Sequence, residues 1–177
     1  DGDGHKITNL KVELAQDEVG FFGLIGAGGK VQKLHVNGTV KATETANGAA
    51  NQAGGIAGAM SDTKGVASIT DCTFEGTVSG GSQVGGIVGS VGLNNKVERC
   101  GSDATVSGSE RVGGIAGACS YGNIYYCRNR GKVGAENAKR VGGIVGDMQN
   151  YAVVCGSYNT GSVTGADYLG GIAGEVY

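Results

Sequence analysis

Val84-Gly-Gly-Ile-Val-Gly89 is the stretch that decides the fold, because the chain keeps returning to it. It recurs as Val112-Gly-Gly-Ile-Ala-Gly117, Val141-Gly-Gly-Ile-Val-Gly146 and Leu169-Gly-Gly-Ile-Ala-Gly174. Upstream it appears as Ala53-Gly-Gly-Ile-Ala-Gly58 and, less closely, as Phe21-Phe-Gly-Leu-Ile-Gly26. The central residues Leu24, Ile56, Ile87, Ile115, Ile144 and Ile172 stand 32, 31, 28, 29 and 28 positions apart. A period of this size marks stacked repeats, each too small to bury its own apolar side and each covered by its neighbours.

A second set of columns follows each hexapeptide. Ile7, Val31, Ile69, Val97, Ile124 and Val154 read as its anchor. Leu10, Leu34, Cys72, Cys100, Cys127 and Ser157 come three residues on, then Val12, Val36, Phe74, Ser102, Asn129 and Asn159. A small residue (Gly38, Gly76, Ala104, Gly131, Gly161) and a Val (Val40, Val78, Val106, Val133, Val163) close each unit. β-Branched columns separated by glycine turns read as strand, turn, strand. Helix is a poor alternative at this glycine density, since each interior Gly costs about 1 kcal/mol against Ala. The expected fold is all-β: a β-solenoid of 28–32-residue coils with parallel stacked strands, right-handed by the general bias of parallel crossovers.

One domain covers 1–177. Residues 1–18 form a lead-in coil, repeats lie near 19–52, 53–83, 84–111, 112–140 and 141–168, and a partial copy occupies 169–177. Within the hexapeptide, the Ile and the apolar residue four further on (Met60, Val91, Cys119, Met148, Val176) share parity and are expected to point inward. The glycine pair should let the chain bend or another sheet approach. Longer connections, as from Thr43 to Gln52 and from Ser61 to Gly65, are expected as loops on the side of the rod. A chain opening at Asp1 with no leader, and stopping at Tyr177 inside a sixth copy, reads as an excised piece of a longer protein.

Composition narrows the function. Of 177 residues 37 are Gly and none is Pro or Trp, yet no three-residue period marks a collagen, and 40% apolar content argues against disorder. A formal charge of −2 gives no general attraction to nucleic acid, and no apolar run is long enough for a membrane span.

The hexapeptides, with Tyr158-Asn-Thr-Gly-Ser-Val-Thr-Gly165 and Cys72-Thr-Phe-Glu-Gly-Thr-Val-Ser-Gly80, resemble the GLUG repeat family. Asp1-Gly-Asp-Gly-His-Lys-Ile-Thr-Asn-Leu10 is similar to the lead-in coil that precedes such repeats. The resemblance covers nearly the whole chain. It implies a secreted or surface-displayed bacterial protein, either adhesin-like or a non-catalytic region of an immunoglobulin-A peptidase, and it carries over no catalytic residue. Phe21 and Phe22 depart from the pattern, and that copy is expected to meet a preceding domain.

Candidate chemistry is sparse. Cys72, Cys100, Cys119, Cys127 and Cys155 form no C-x-x-C pair. Cys72 and Cys100 in adjacent coils would be near enough for a disulfide. A parallel ladder aims both side chains the same way, so buried free thiols are expected. Asp1-Gly-Asp-Gly-His5 lacks the downstream Glu of a calcium loop and reads as a turn, as does the sequon Asn37-Gly-Thr39. Asn37, Glu75, Asp103, Arg130 and Thr160 make one polar column. Its carboxylates would lie about 5 Å apart, the spacing of a retaining glycosidase, but short turns on a convex rod offer no cleft. A solvated charge ladder is the reading taken. His5 and His35 lie one coil apart with no nucleophile in an equivalent neighbouring position.

All seven Tyr lie at or beyond position 121. Tyr121 and Tyr151 share a column, as do Arg128 and Tyr158, where a cation–π contact could form. Tyr121, Tyr151, Tyr158, Arg128 and Arg130 are the candidate ligand-binding residues. Lys132, Lys139 and Arg140 add charge suited to an acidic glycan. The expected role is a non-catalytic adhesive stalk or spacer outside the cell, binding a host glycan or protein. It needs no cofactor, no metal, no nucleic acid and no membrane insertion. The alternatives are a carbohydrate-active β-helix enzyme using Glu75 and Asp103, or a substrate-positioning arm of a surface peptidase.

Overall fold

The computed structural model describes residues 1–43, 52–61 and 65–177. The connections expected as side loops, Thr43 to Gln52 and Ser61 to Gly65, lie for the most part outside the described residues. The rest winds as a β-solenoid in which every strand pairing is parallel and joins one coil to the next. Four sheets run along its axis.

One central coil gives the plan. Gln83–Gly85 belongs to an inbound sheet, Val88–Val91 to an outbound sheet, Lys96–Glu98 to a short sheet and Gly101–Ser107 to a long sheet. The Gly-Gly-Ile of the hexapeptide is the corner between the inbound and outbound strands. Its backbone is satisfied across coils: the Ile115 carbonyl accepts from both the Ile87 and the Val88 N–H, each at 3.0 Å. Such pairing is required of buried backbone groups.

The corner explains the glycine columns. A Cβ on Gly85 would lie 2.0 Å from the Val88 carbonyl oxygen, and one on Gly89 would lie 2.4 Å from that of Gly58. The inbound and outbound sheets therefore meet backbone to backbone, and only Gly permits the approach.

The inward columns are buried ladders, as their recurrence requires. Ile56, Ile87, Ile115 and Ile144 are fully buried, as are Ile69, Val97 and Ile124, with Val154 half-buried in the last coil. Met60, Val91 and Cys119 are buried beside them, whereas Met148 is partly covered and Val176 is exposed on the final coil. Burial at about 25 cal/mol per Å² of apolar surface makes these ladders the main favourable term. In the long sheet the innermost column changes character along the rod. Phe74 gives way to Ser102 and then to Asn129, fully buried, whose Nδ2 donates to Asn159 Oδ1 at 2.8 Å.

The thiol column forms as expected. Cys72, Cys100 and Cys127 are buried and free, and each thiol donates to the carbonyl two residues back, at 3.2, 3.3 and 3.2 Å. Ser157 makes the same bond in the next coil, at 3.3 Å. Burial pushes the Cys100 thiol well above its ordinary pKa and that of Cys119 up to about 12. Cys155 is exposed.

Three expectations are corrected. Leu24 does not share a column with Ile56: Val19 pairs with Ala53, Phe22 with Ala57 and Leu24 with Ala59, so Phe21 stands at the Ile corner of the first coil and Leu24 is exposed. Ile7 does not share a column with Val31. It pairs with Val36, Leu10 pairs with Gly38 and Val12 with Val40, with a bulge between Ile7 and Leu10. The lead-in strand Lys6–Leu14 therefore adds to the long sheet alone. The sequon Asn37-Gly-Thr39 is not a turn, since it lies inside the strand His35–Ala42. Gly38 is needed there because a Cβ would lie 2.2 Å from the Leu10 carbonyl oxygen.

Candidate functional site

Tyr121 and Tyr151 come together as a pair in the turns that follow outbound strands. Their ring centroids are 6.2 Å apart at 39°, and they are 45% and 90% exposed. Both backbones are left-handed, with φ of 53° and 60°, an arrangement uncommon outside Gly, Asn and Asp. Arg128 and Tyr158 pair in register on the long sheet. The expected cation–π contact is replaced: Arg128 Nη1 donates to both Asp103 carboxylate oxygens, at 3.1 and 3.2 Å. The cation over a ring is instead Arg140 above Tyr168, at 6.0 Å. Arg130, two residues after Arg128, is exposed. The five candidates thus fall into two groups, one in the turns after the outbound strands and one at the long sheet.

The basic cluster is largely neutralised. Arg128 is held by Asp103, Lys139 lies 3.8 Å from Asp167, and Arg140 donates to both Glu110 and Glu175. Arg140 holds the Glu175 carboxyl below its ordinary range. Glu75 and Asp103 do stack in register, but both are exposed, and Glu75 lies 3.7 Å from Lys6. That is the geometry of a solvated charge ladder. Asp1-Gly-Asp-Gly-His5 is a turn, with the Asp3 N–H donating to Asp1 Oδ1 at 2.9 Å. Among the described residues no cluster of three His, Cys, Asp or Glu is placed to hold a metal ion.

A concave feature of the rod lies elsewhere. On the inbound sheet Gln52, Gln83, Arg111 and Arg140 follow one another coil by coil, since Val84 pairs with Val112 and Val112 with Val141. On the outbound sheet Ala59, Ser90, Ala118, Asp147 and Glu175 do the same. Polar rungs join the two columns, each from one coil to the next. Ser90 Oγ donates to Gln52 at 2.7 Å, Arg111 Nε donates to Asp147 Oδ2 at 3.0 Å, and Arg140 Nε donates to Glu175.

At Gln83 the rung is missing, as it is at Glu18, whose partner in the next coil would be Ala59. Gln83 stands where its partner in the next coil would be Ala118, which has no polar group. A cavity of about 290 Å³ opens at that place, lined by Gln83, Ser90, Arg111, Ala118, Asp147 and Gln149 among others. Asp147 is 1% exposed, and its Oδ2 also accepts from Gln149 Nε2 at 2.8 Å, while its Oδ1 has no hydrogen-bond partner. An unpartnered buried acceptor costs about 1–3 kcal/mol, and more when charged. Sequence reasoning missed this groove. Its one available signal was a lone Asp at position 147 in a column otherwise small or apolar until Glu175.

Comparison with known proteins places the coil in a family context. Residues 49–79 match the family described as the GLUG motif. This chain carries a GLUG motif. The chain is also 33% identical over 96 residues to halomucin of Haloquadratum walsbyi, a match covering 54% of this chain and 1% of that protein. A crystal structure from Bacteroides ovatus, described as a putative immunoglobulin A1 protease, superposes with a TM-score of 0.69 at 26% identity. That match covers 96% of this chain and 56% of the solved one. The GLUG resemblance read from the hexapeptides therefore holds, and the solenoid is a fold shared with a solved protein.

Proposed function

We propose that the GLUG solenoid is a non-catalytic module of a secreted or surface-displayed protein, a spacer whose side presents a binding face for a glycan or a protein. The observation that carries this reading is the groove between the inbound and outbound sheets, with the Tyr121–Tyr151 pair in the turns beyond it. Exposed Tyr rings supply flat area with a polar tip, which suits both sugars and protein surfaces. The likenesses to halomucin and to the Bacteroides ovatus protein support an extracellular setting. The second favours one further reading, in which the rod positions substrate for a peptidase domain elsewhere in a longer chain. Glu75 and Asp103 stand in the open and engaged with cations, which argues against the glycosidase alternative.

A glycan and protein array tests the proposal. The intact chain is expected to bind at least one immobilised ligand, to lose affinity in Tyr151→Ala, and to leave polysaccharides and immunoglobulin uncleaved. Hydrolysis that disappears in Glu75→Gln or Asp103→Asn would replace the binding reading with an enzymatic one.

A further inference from the structure

We propose that the missing rung at Gln83 is a sugar site: the slot between Gln83 and Asp147 receives the hydroxyls of a neutral pyranose. This rests on the binding reading above and gives it a place and a ligand chemistry.

A sugar hydroxyl both donates and accepts, so its site must offer both kinds of group. The Asp147 carboxylate, a group that only accepts, forms part of the wall of the slot. Arg111 supplies a group that only donates, its Nε already fixed by Asp147 Oδ2 at 3.0 Å, so the guanidinium is held in place. The amides of Gln83 and Gln149 do both. Val91 and Ala118 add apolar wall for the C–H face of a ring. At about 290 Å³ the cavity sits at the small end of ligand clefts, which run from about 300 Å³ upward. It suits a single ring with a short extension rather than a chain threaded along the rod.

The charge balance selects a neutral sugar. Within the slot the Asp147 carboxylate and the Arg111 guanidinium offset one another. Around it Arg140 is engaged by Glu110 and Glu175, and Lys139 by Asp167. Little positive charge is left to recognise a carboxylate or sulfate, and an acidic ring would bring its own anion towards Asp147. The acidic glycan expected from the count of basic residues is therefore the wrong class.

The test titrates the intact ¹⁵N-labelled chain with methyl hexopyranosides, with a methyl glucuronide as the acidic arm. Expected are saturable shifts in the side-chain amides of Gln83 and Gln149, little dependence on salt, and a weaker response to the glucuronide. Ala118→Leu fills the slot from a half-buried position while keeping both members of the ion pair, and it should weaken binding at least about tenfold. Asp147→Asn should weaken it as well, with the unchanged spectrum of the remaining coils showing that the fold persists. Binding that survives Ala118→Leu, shifts confined to Tyr121 and Tyr151, preference for the glucuronide, or a slot that holds only water would overturn the proposal. In each of those cases array binding by the intact chain leaves the module reading standing. Failure of the intact chain to bind anything on the arrays sinks both.

Discussion

Truncating one side chain at two points of the same column separates a stacked solenoid from a globule with a single core. Ile115 and Ile172 occupy equivalent corners, but Ile115 is fully buried between two coils while Ile172 is 42% exposed on the last one. Ile→Ala removes three carbons, which at about 0.8 kcal/mol each is about 2.4 kcal/mol of transfer free energy. At Ile115 a cavity remains between coils that cannot close up, raising the loss to about 3–5 kcal/mol. At Ile172 a little over half of the transfer loss applies and solvent fills the gap, so about 1–1.5 kcal/mol is expected. The two variants should therefore differ by about 1.5–4 kcal/mol in urea denaturation. Native-state hydrogen exchange should show the Ile172 effect confined to the final coils and the Ile115 effect spread to coils on both sides. Equal losses, or exchange that rises uniformly in both variants, would refute the neighbour-only account of stability.

Two further outcomes follow from the buried and paired groups. A thiol reagent applied at pH 8 to the native chain should modify Cys155 alone, and the other four cysteines only after denaturation, giving five thiols in all. Two protons missing from the intact mass would mean a disulfide instead. Arg99 holds the Asp71 carboxyl below its ordinary value of 3.8, and Arg140 does the same for Glu175 below 4.5. A depressed folded-state pKa contributes stability above the unfolded value and loses it as pH falls through the folded one. The chain should therefore lose stability on acidification below about pH 4.5. Arg99→Ala should flatten that slope, as read from denaturation midpoints between pH 2 and 6, and an unchanged slope would remove the ion pair as the cause.

The columns that repeat in kind were legible without coordinates. Ile87, Ile115 and Ile144 recur because the corner has one size of hole, and Cys72, Cys100 and Cys127 recur because a small apolar group fits under the strand there. The lead-in strand was misread because Ile7, Leu10 and Val12 mimic the i, i+3, i+5 spacing of Val31, Leu34 and Val36. The bulge that shifts their pairing onto Val36, Gly38 and Val40 leaves no mark on spacing. The groove was illegible for the opposite reason. Its rungs change from hydroxyl and amide at Gln52–Ser90 to guanidinium and carboxylate at Arg111–Asp147, and each links residues 35 to 38 positions apart. No column identity announces a contact that changes chemistry along the rod. The basic cluster was visible as a count, but the partners that neutralise it come from other coils.

Because strands pair only with the coils directly before and after, the structure imposes a local form of heredity on its sequence. A change on an outer column is judged by two neighbouring coils and by nothing further along the rod. The Arg111–Asp147 rung could arise without disturbing Gln52–Ser90, and Ala118 could give up a rung without unsettling the corner beneath it. The rod behaves as a row of locally editable positions spaced about 4.8 Å apart. A lineage can rewrite what one slot recognises while the isoleucine and glycine columns inside keep every coil in step.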